Sequence, residues 1–431
     1  MEAVGECRAR PLRLWEILLG ALAHPVWGWQ MSRLLGVRFA AADPARTAGD
    51  VLGECVATPG LYVHVPFCSR LCPFCPYNKV LFQPRTAHAH MSLVETELGW
   101  YTEAASEPFT SLYVGGGTPT LCRDQLRMLT DVPVARERAI EVLPSHMTPR
   151  VAAQLQDLGF DSVSVGVQSF DDAVLRLLGR PTNAVTNRRA VHVARERFRC
   201  VDVDLIFDVA HRGAEVLLAD LREAFEAGVD QVSTYPLMRF GYTPFGKAAH
   251  DRKTEHEVLA AASRLARQHG YRRDSVWTFV RDGGAVYTSI TRPYFVGVGA
   301  GAATFTGRSF AVNHFGLAPY ADAVHAGRLP IALMARLPRP LAMAYRGFWQ
   351  AYTGSIDQRG SYSHHDELLD HRSVRAALVM MQRMGWVTPE GGGHRLTPRG
   401  YDRYHDLERW VTYHLIEPLW TKMMAEHEQA G

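Results

Sequence analysis

The stretch LYVHVPFCSRLCPFCPY (residues 61–77) sets the terms on which the rest of the chain is read. Its first five residues alternate large apolar side chains with Tyr62 and His64, the period of a β-strand, and Pro66 ends the run. A loop then carries Cys68, Cys72 and Cys75 in a C-x3-C-x2-C spacing. A structural zinc site takes four ligands, and the loop supplies three; His64, buried in the alternation of the strand, is a poor fourth. Three thiolates suit a 4Fe-4S cluster instead, with one iron left open to chelate a ligand through an amine and a carboxylate.

Working outward, short β-rich runs alternate with helical patterns. Strands are expected at 61–65, 111–114, 139–143, 162–166, 201–207 and 231–235, and helices at 150–158, 171–178, 183–197, 214–227 and 254–269, several closed by Gly. Such repetition predicts an α/β fold with a parallel sheet, either an open sheet or a partial (β/α)6 barrel, whose function gathers at the carboxyl ends of the strands. The second strand ends in Gly115-Gly116-Gly117-Thr118-Pro119, whose small residues let backbone approach a ligand and whose N-H groups are expected to be free to bind one. Polar side chains recur at the other strand ends: Glu141, Gln168, Arg180 and Asp204. A buried Glu141 needs a partner, and an ammonium or ribose hydroxyl would serve; a salt bridge such as Asp204 to Arg180 is the structural alternative. After Gly270 the pattern breaks into mixed strands and Gly-rich loops. The expected division is an N-terminal helical extension (1–57), the barrel (58–305), a connecting segment (306–355) and an α-rich, winged-helix-like C-terminal cap (356–431).

Composition narrows the class. With 431 residues, 47% hydrophobic and 21% charged, the chain is an ordinary globular protein, and a net charge of +3 gives no argument for nucleic acid or an anionic membrane. All but four of the 47 basic residues are Arg. Seven cysteines in a long chain without a recognisable leader argue for a reducing cytoplasm, and Cys7, Cys55, Cys122 and Cys200 read as small buried hydrophobes. Residues 12–29 are apolar but interrupted by Arg13, Glu16, His24 and Pro25, so they read as an amphipathic helix rather than a membrane span; Trp15, Trp27 and Trp29 read as packing.

The cysteine spacing is the radical S-adenosylmethionine (SAM) signature. Together with Tyr62-Val-His64-Val-Pro66-Phe-Cys68, GGGTP, Ser164-Val-Gly166-Val-Gln168-Ser-Phe170 and Leu178-Gly-Arg180, it resembles the oxygen-independent coproporphyrinogen oxidase-like branch of that superfamily over residues 58–305. The resemblance implies a radical SAM barrel, a 4Fe-4S cluster on Cys68, Cys72 and Cys75, and two SAM molecules. Tyr62, Gly116 and Glu141 would hold the first SAM. Phe74, Gly117, Thr118, Gln168, Arg180, Asp204, Met238 and Ala303 would surround the second. It also implies an electron donor such as flavodoxin or ferredoxin. Two departures stand out: Tyr77 where the porphyrin enzymes usually carry a fourth Cys, and Phe207-Asp208-Val209-Ala210 in place of a Gly-Leu-Pro turn. Within the branch the chain most resembles the class C methyltransferases and cyclopropanases. The expected activity is therefore transfer of a C1 (methylene) unit from the second SAM to an sp2 carbon of a conjugated natural-product intermediate, giving C-methylation or cyclopropanation. An anaerobic coproporphyrinogen III oxidase or haem-modifying enzyme, and a haem-trafficking protein of the same fold, are the alternatives. Tyr235, Tyr242, His211 and His314 are candidates for a base, none preferred.

Overall fold

The computed structural model describes residues 39–209, 213–246, 252–285, 292–356 and 372–429. The residues read as an N-terminal amphipathic helix, with Trp15, Trp27 and Trp29, lie outside this set, as do Cys7 and His211.

Six parallel strands form the centre: β1 Gly60–Val65, β2 Leu112–Gly116, β3 Arg138–Val142, β4 Ser162–Gln168, β5 Cys200–Phe207 and β6 Gln231–Pro236. They pair in chain order. Side chains alternate between the two faces of a strand, so a period of two in the sequence becomes two different surfaces. Leu61, Val63 and Val65, Val163, Val165 and Val167, and Val201, Val203 and Leu205 have no exposure at all. Each such side chain contributes about 1.5–3 kcal/mol when taken from water. Helix α1 Ala48–Glu54 precedes these strands, and among the helices between and after them are α2 Pro84–Ala104, α3 Pro149–Asp157, α4 Asp172–Leu177, α5 Ala184–Arg197, α6 Gly213–Glu226 and α7 Arg252–Gln268. Their apolar stripes, such as Ala190, Val191 and Ala194 of α5, share one core with the valine face.

The opposite face is polar. It carries Tyr62 and His64, Tyr113, Glu141, Ser162 and Ser164, Asp202 and Asp204, and Gln231, Ser233 and Tyr235, in rows set by the register Tyr62↔Tyr113, Glu141↔Ser164, Ser164↔Asp202 and Asp204↔Ser233. A parallel sheet buried by helices on both sides would read as continuous apolar runs. The alternation here marks a sheet whose second face lines a lumen.

Six shorter strands extend the sheet: β7 Tyr271–Arg273, β8 Thr278–Arg281, β9 Phe295–Val298, β10 Ala303–Phe305, β11 Ser309–Asn313 and β12 Ile331–Arg336. The full order is β12-β11-β10-β9-β1-β2-β3-β4-β5-β6-β8-β7. β9 lies parallel to β1, and the remaining additions are antiparallel. The chain then forms α8 Leu317–His325, α9 Arg339–Tyr352, α10 Arg372–Arg383, the hairpin strands Val387–Glu390 and Gly393–Leu396, α11 Pro398–Val411 and α12 Glu417–Gln429.

These last helices bridge the two sides of the open sheet. Leu419, Trp420 and Met423 of α12 pack with Val312 of β11 and Leu333 of β12. At the other side the Gly241 N-H, beyond β6, donates to Glu417 Oε1, and the Arg239 N-H donates to the Tyr413 hydroxyl at 2.9 Å. Deeper in, Trp277 Nε1 donates to His405 Nδ1 (3.0 Å), which leaves His405 Nε2 to donate to Glu255 of α7 (2.8 Å), itself paired with Arg409 (2.9 Å). The C-terminal helices thus form a wall of the lumen. Among the described residues, no helix is long and apolar enough to cross a membrane.

Candidate functional site: the cysteine loop and the lumen mouth

The cysteine loop is held by backbone bonds at both ends. The Val80 N-H donates to Pro66 O (2.7 Å) and the Phe82 N-H to Cys68 O (2.8 Å), making a short parallel pair, Phe67–Cys68 with Val80–Leu81. His64 fastens it to β1. This imidazole accepts from the Tyr62 hydroxyl at Nδ1 (2.7 Å), and its Nε2-H faces Asn78 O (3.2 Å), which fixes the tautomer. Burial pulls its pKa down to about 4, so it is a neutral strut. Asn78 is buried too, and its amide donates to Phe315 O (3.0 Å) and Ala300 O (3.3 Å), tying the loop to the far side of β9.

The other sequence motifs converge on this loop. Thr118 Oγ1 donates toward Cys68 Sγ and Arg180 Nη1 toward Cys72 Sγ, both at 3.8 Å. Gly179, at φ +65°, lies so close to the loop that a Cβ there would stand 2.8 Å from Pro73 Cδ. Arg180 also donates to Gly166 O. Phe74 packs with Val174, Leu178, Val209 and Leu237. Met238 packs at the edge of the main core, and Ala303 stands in β10 opposite Val312. Among the described residues no hydrogen bond or ring contact ties Met238 or Ala303 to Arg180 or Asp204.

The glycine loop differs from expectation. Its N-H groups are already used: Gly116 donates to Glu141 Oε2 (3.2 Å), Gly117 to Val65 O (2.8 Å) and Thr118 to Phe67 O (2.7 Å). Its glycines are required by the protein itself. A Cβ on Gly116 (φ +109°) would meet the His64 ring at 2.6 Å, and one on Gly117 would meet Phe67 O at 2.6 Å.

Three carboxylates lie on the lumen face, Glu141, Asp202 and Asp204; Asp202, accepting from Ser233 Oγ (2.8 Å) and Gln231 Nε2 (3.1 Å), is raised by burial. Glu141 accepts from the Tyr113 hydroxyl (2.6 Å) as well as from Gly116, yet burial, reinforced by Asp204, pushes its pKa up to about 7. Asp204 accepts from Ser164 Oγ (2.7 Å); burial raises it to about 6 against the pull of that bond and of Arg180. No ion pair joins Asp204 and Arg180 among the described residues, so the structural alternative weighed for them is not what holds either in place. Two non-glycine residues in the left-handed region lie at these strand ends, Gln168 (φ +68°) and Asp208 (φ +63°). Such conformations are sparsely populated and gather at functional sites. Asp208 is clamped by Arg239, whose guanidinium donates to its carboxylate (2.8 Å) and its carbonyl (2.9 Å). The sequence reading left Arg239 unmentioned.

Of the base candidates, Tyr235 lies in the lumen in the field of Asp204. Tyr242 donates to Pro76 O at 3.2 Å, and His314 is lowered by burial.

The donor set fits an iron-sulfur cluster. Burial pushes the Cys68 thiol up to about 11 and raises Cys75, so without a cation they stay protonated; Lys79 and Arg180 pull Cys75 the other way. Among the described residues no three His, Cys, Asp or Glu side chains converge on a single ion.

Comparison with known proteins agrees with this geometry. Residues 62–210 match the Radical SAM superfamily. The chain is 30% identical over 194 residues to a heme chaperone, HemW, of Lactococcus lactis, covering 43% of this chain and 50% of that protein. It is 27% identical over 308 residues to an oxygen-independent coproporphyrinogen III oxidase of Cereibacter sphaeroides, covering 63% and 67%. The chain thus spans half of the first relative's length and two thirds of the second's. Among solved structures, coproporphyrinogen III oxidase (HemN) from Escherichia coli superposes with a TM-score of 0.70 over 83% of this chain and 91% of that one, at 22% identity, a likeness of fold. These relatives overturn the expected C1 transfer: they are named as coproporphyrinogen oxidases and heme chaperones, and none supports methylation or cyclopropanation of a natural product. The sequence misled because the Tyr77 and Asp208 departures were read as divergence toward a class the cysteine and glycine motifs do not distinguish. Residues 62–210 thus carry a match to the Radical SAM superfamily, and the relatives this chain is similar to are named as coproporphyrinogen III oxidases and heme chaperones.

Proposed function

We propose that this chain is a radical SAM enzyme acting on a tetrapyrrole, with an anaerobic coproporphyrinogen III oxidase as the nearest chemical description. The observation carrying this reading is that Thr118 and Arg180 reach the Cys68 and Cys72 sulfurs at the end of the sheet whose polar face carries Glu141 and Asp204, both raised by burial. When bound, the cluster and SAM together supply a hydrogen-abstracting oxidant made by one-electron reductive cleavage of SAM.

The chain's own residues bind and orient. Cys68, Cys72 and Cys75 would each take one iron. Tyr62, held by His64, and Glu141 would receive the first SAM; an ammonium or ribose hydroxyl beside Glu141 would draw its pKa down and fix it as the carboxylate. Gly116, whose N-H is spoken for, would contribute closeness rather than a donor. A second SAM, also part of this proposal, would lie among Phe74, Gly117, Thr118, Gln168, Arg180, Asp204, Met238 and Ala303, with Arg180 and Thr118 reaching both it and the cysteine sulfurs. The C-terminal helices would exclude water from the lumen.

Haem trafficking is the second reading, favoured by the heme chaperone relative and by Tyr77 in the place of a fourth cysteine. Anaerobic incubation of the reconstituted protein with SAM, a reductant and coproporphyrinogen III separates the two. Oxidase activity predicts carbon dioxide release with consumption of SAM. Stoichiometric haem binding with no SAM cleavage would overturn it in favour of trafficking.

A further inference from the structure

Tyr77 stands two residues beyond Cys75, and its side chain keeps 52% of its surface uncovered. Its chain neighbours are nevertheless anchored within the fold: Pro76 O accepts from the Tyr242 hydroxyl at 3.2 Å, and the buried Asn78 donates to Ala300 O and Phe315 O. A half-uncovered ring between two anchored neighbours, beside the cysteine loop, keeps surface open to a ligand. Its ring meets Trp420 of α12, with centroids 5.6 Å apart and planes tilted by 56°.

Trp420 is itself fixed from behind. It stacks on Phe240 (6.2 Å, 19°), and Phe240 stacks on Tyr242 (5.4 Å, 23°), whose hydroxyl returns to the cysteine loop at Pro76 O. Three distant segments, the cysteine loop, the turn after β6 and the C-terminal helix, therefore hold one pair of rings at the lumen mouth. Aromatic side chains serving only as packing bury their faces; Tyr77 does not. Stacked and tilted ring pairs at such distances are favourable beyond the area they bury, and a further flat ring can join on the uncovered face.

We propose that Tyr77 and Trp420 form an aromatic clamp that receives a pyrrole ring of the substrate beside the cysteine loop, and so are specificity-determining residues. The proposal rests on the tetrapyrrole reading above.

The test uses the full, cluster-reconstituted chain and coproporphyrin III as the probe, titrated anaerobically and followed by the shift of its main absorption band and by quenching of tryptophan emission. The wild type should bind. Tyr77→Leu and Trp420→Leu should each weaken binding about tenfold, while Tyr77→Phe and Trp420→Phe stay within about threefold, because the ring and not the polar group is what stacks. Iron content and helicity should be unchanged throughout. Tyr77, being half uncovered, tolerates leucine without loss of the fold, so Tyr77→Leu decides the matter even if Trp420→Leu does not fold. Leucine variants that bind like the wild type would overturn the clamp alone. A wild type that binds no coproporphyrin III would overturn the tetrapyrrole reading, and the clamp with it.

Discussion

Replacing Glu141 by Gln separates what this carboxylate does to the fold from what it does for a ligand. In the folded chain burial and the neighbouring Asp204 hold its pKa at about 7, whereas the ordinary value is 4.5. A native state that keeps a proton the unfolded chain releases is unpenalised below about pH 4.5, loses stability as the pH rises, and carries the full penalty above about pH 7. A displacement from 4.5 to about 7 corresponds to about 3 kcal/mol at most. The residue is only partly buried, and screening reduces the penalty toward about 1–2 kcal/mol. Gln fits the same contacts, its carbonyl accepting from the Gly116 N-H and its amide donating to the Tyr113 hydroxyl. Glu141→Gln should therefore match the wild type in urea unfolding at about pH 5 and exceed it by about 1–2 kcal/mol at about pH 8. In the reconstituted protein the same variant should bind SAM more weakly in calorimetric titration, since the charge that would meet the SAM ammonium is gone. A stability difference that stays constant from pH 5 to pH 8 would refute the reasoning.

Gly179→Ala places a Cβ 2.8 Å from Pro73 Cδ at a φ of +65°. It should destabilise the chain by about 1–3 kcal/mol and displace the cysteine loop, read as a lower thermal midpoint and a reduced iron content after reconstitution. His405→Ala removes a fully buried link between Trp277 and Glu255, leaving the Trp277 N-H unmatched. The loss should be about 2–4 kcal/mol, seen as a fall in the denaturant midpoint. Conversion of His405 to Gln, which can bond both partners, should recover part of it.

Much of the site was readable because its chemistry is local in sequence. The six central strands follow from period-two runs such as VDVD at 201–204, and the same runs place Asp202 and Asp204 on the polar face. The Leu178-Gly179-Arg180 motif sits against the cysteine loop, with Gly179 on Pro73 and Arg180 on Cys72. What escaped reading depends on contacts between distant segments. Strands β7 and β10 have three residues each, too few for periodicity to separate from loop, and they exist because neighbouring strands offer edges to pair with. Asn78 reads as a polar residue after a cysteine, and only the fold shows it clamped to Ala300 and Phe315. Glu97 was also passed over. It is buried in α2 and accepts from the Gly299 N-H, Asn313 Nδ2 and the Tyr320 hydroxyl. A glutamate on the same stripe as Met91, Val94, Leu98 and Tyr101 was the available signal. The glycine loop was misread in its physical detail, because spacing alone does not tell a donor kept free for a ligand from one bonded within the chain.

The most direct test of the central claim, that Cys68, Cys72 and Cys75 hold a cluster at which SAM binds, is the electron paramagnetic resonance spectrum of the anaerobically reconstituted, reduced protein with and without SAM. The account predicts about four irons per chain, a reduced-cluster signal that changes shape when SAM is added, and loss of both in Cys72→Ala. A protein that takes up no iron, or whose signal is indifferent to SAM, would contradict it.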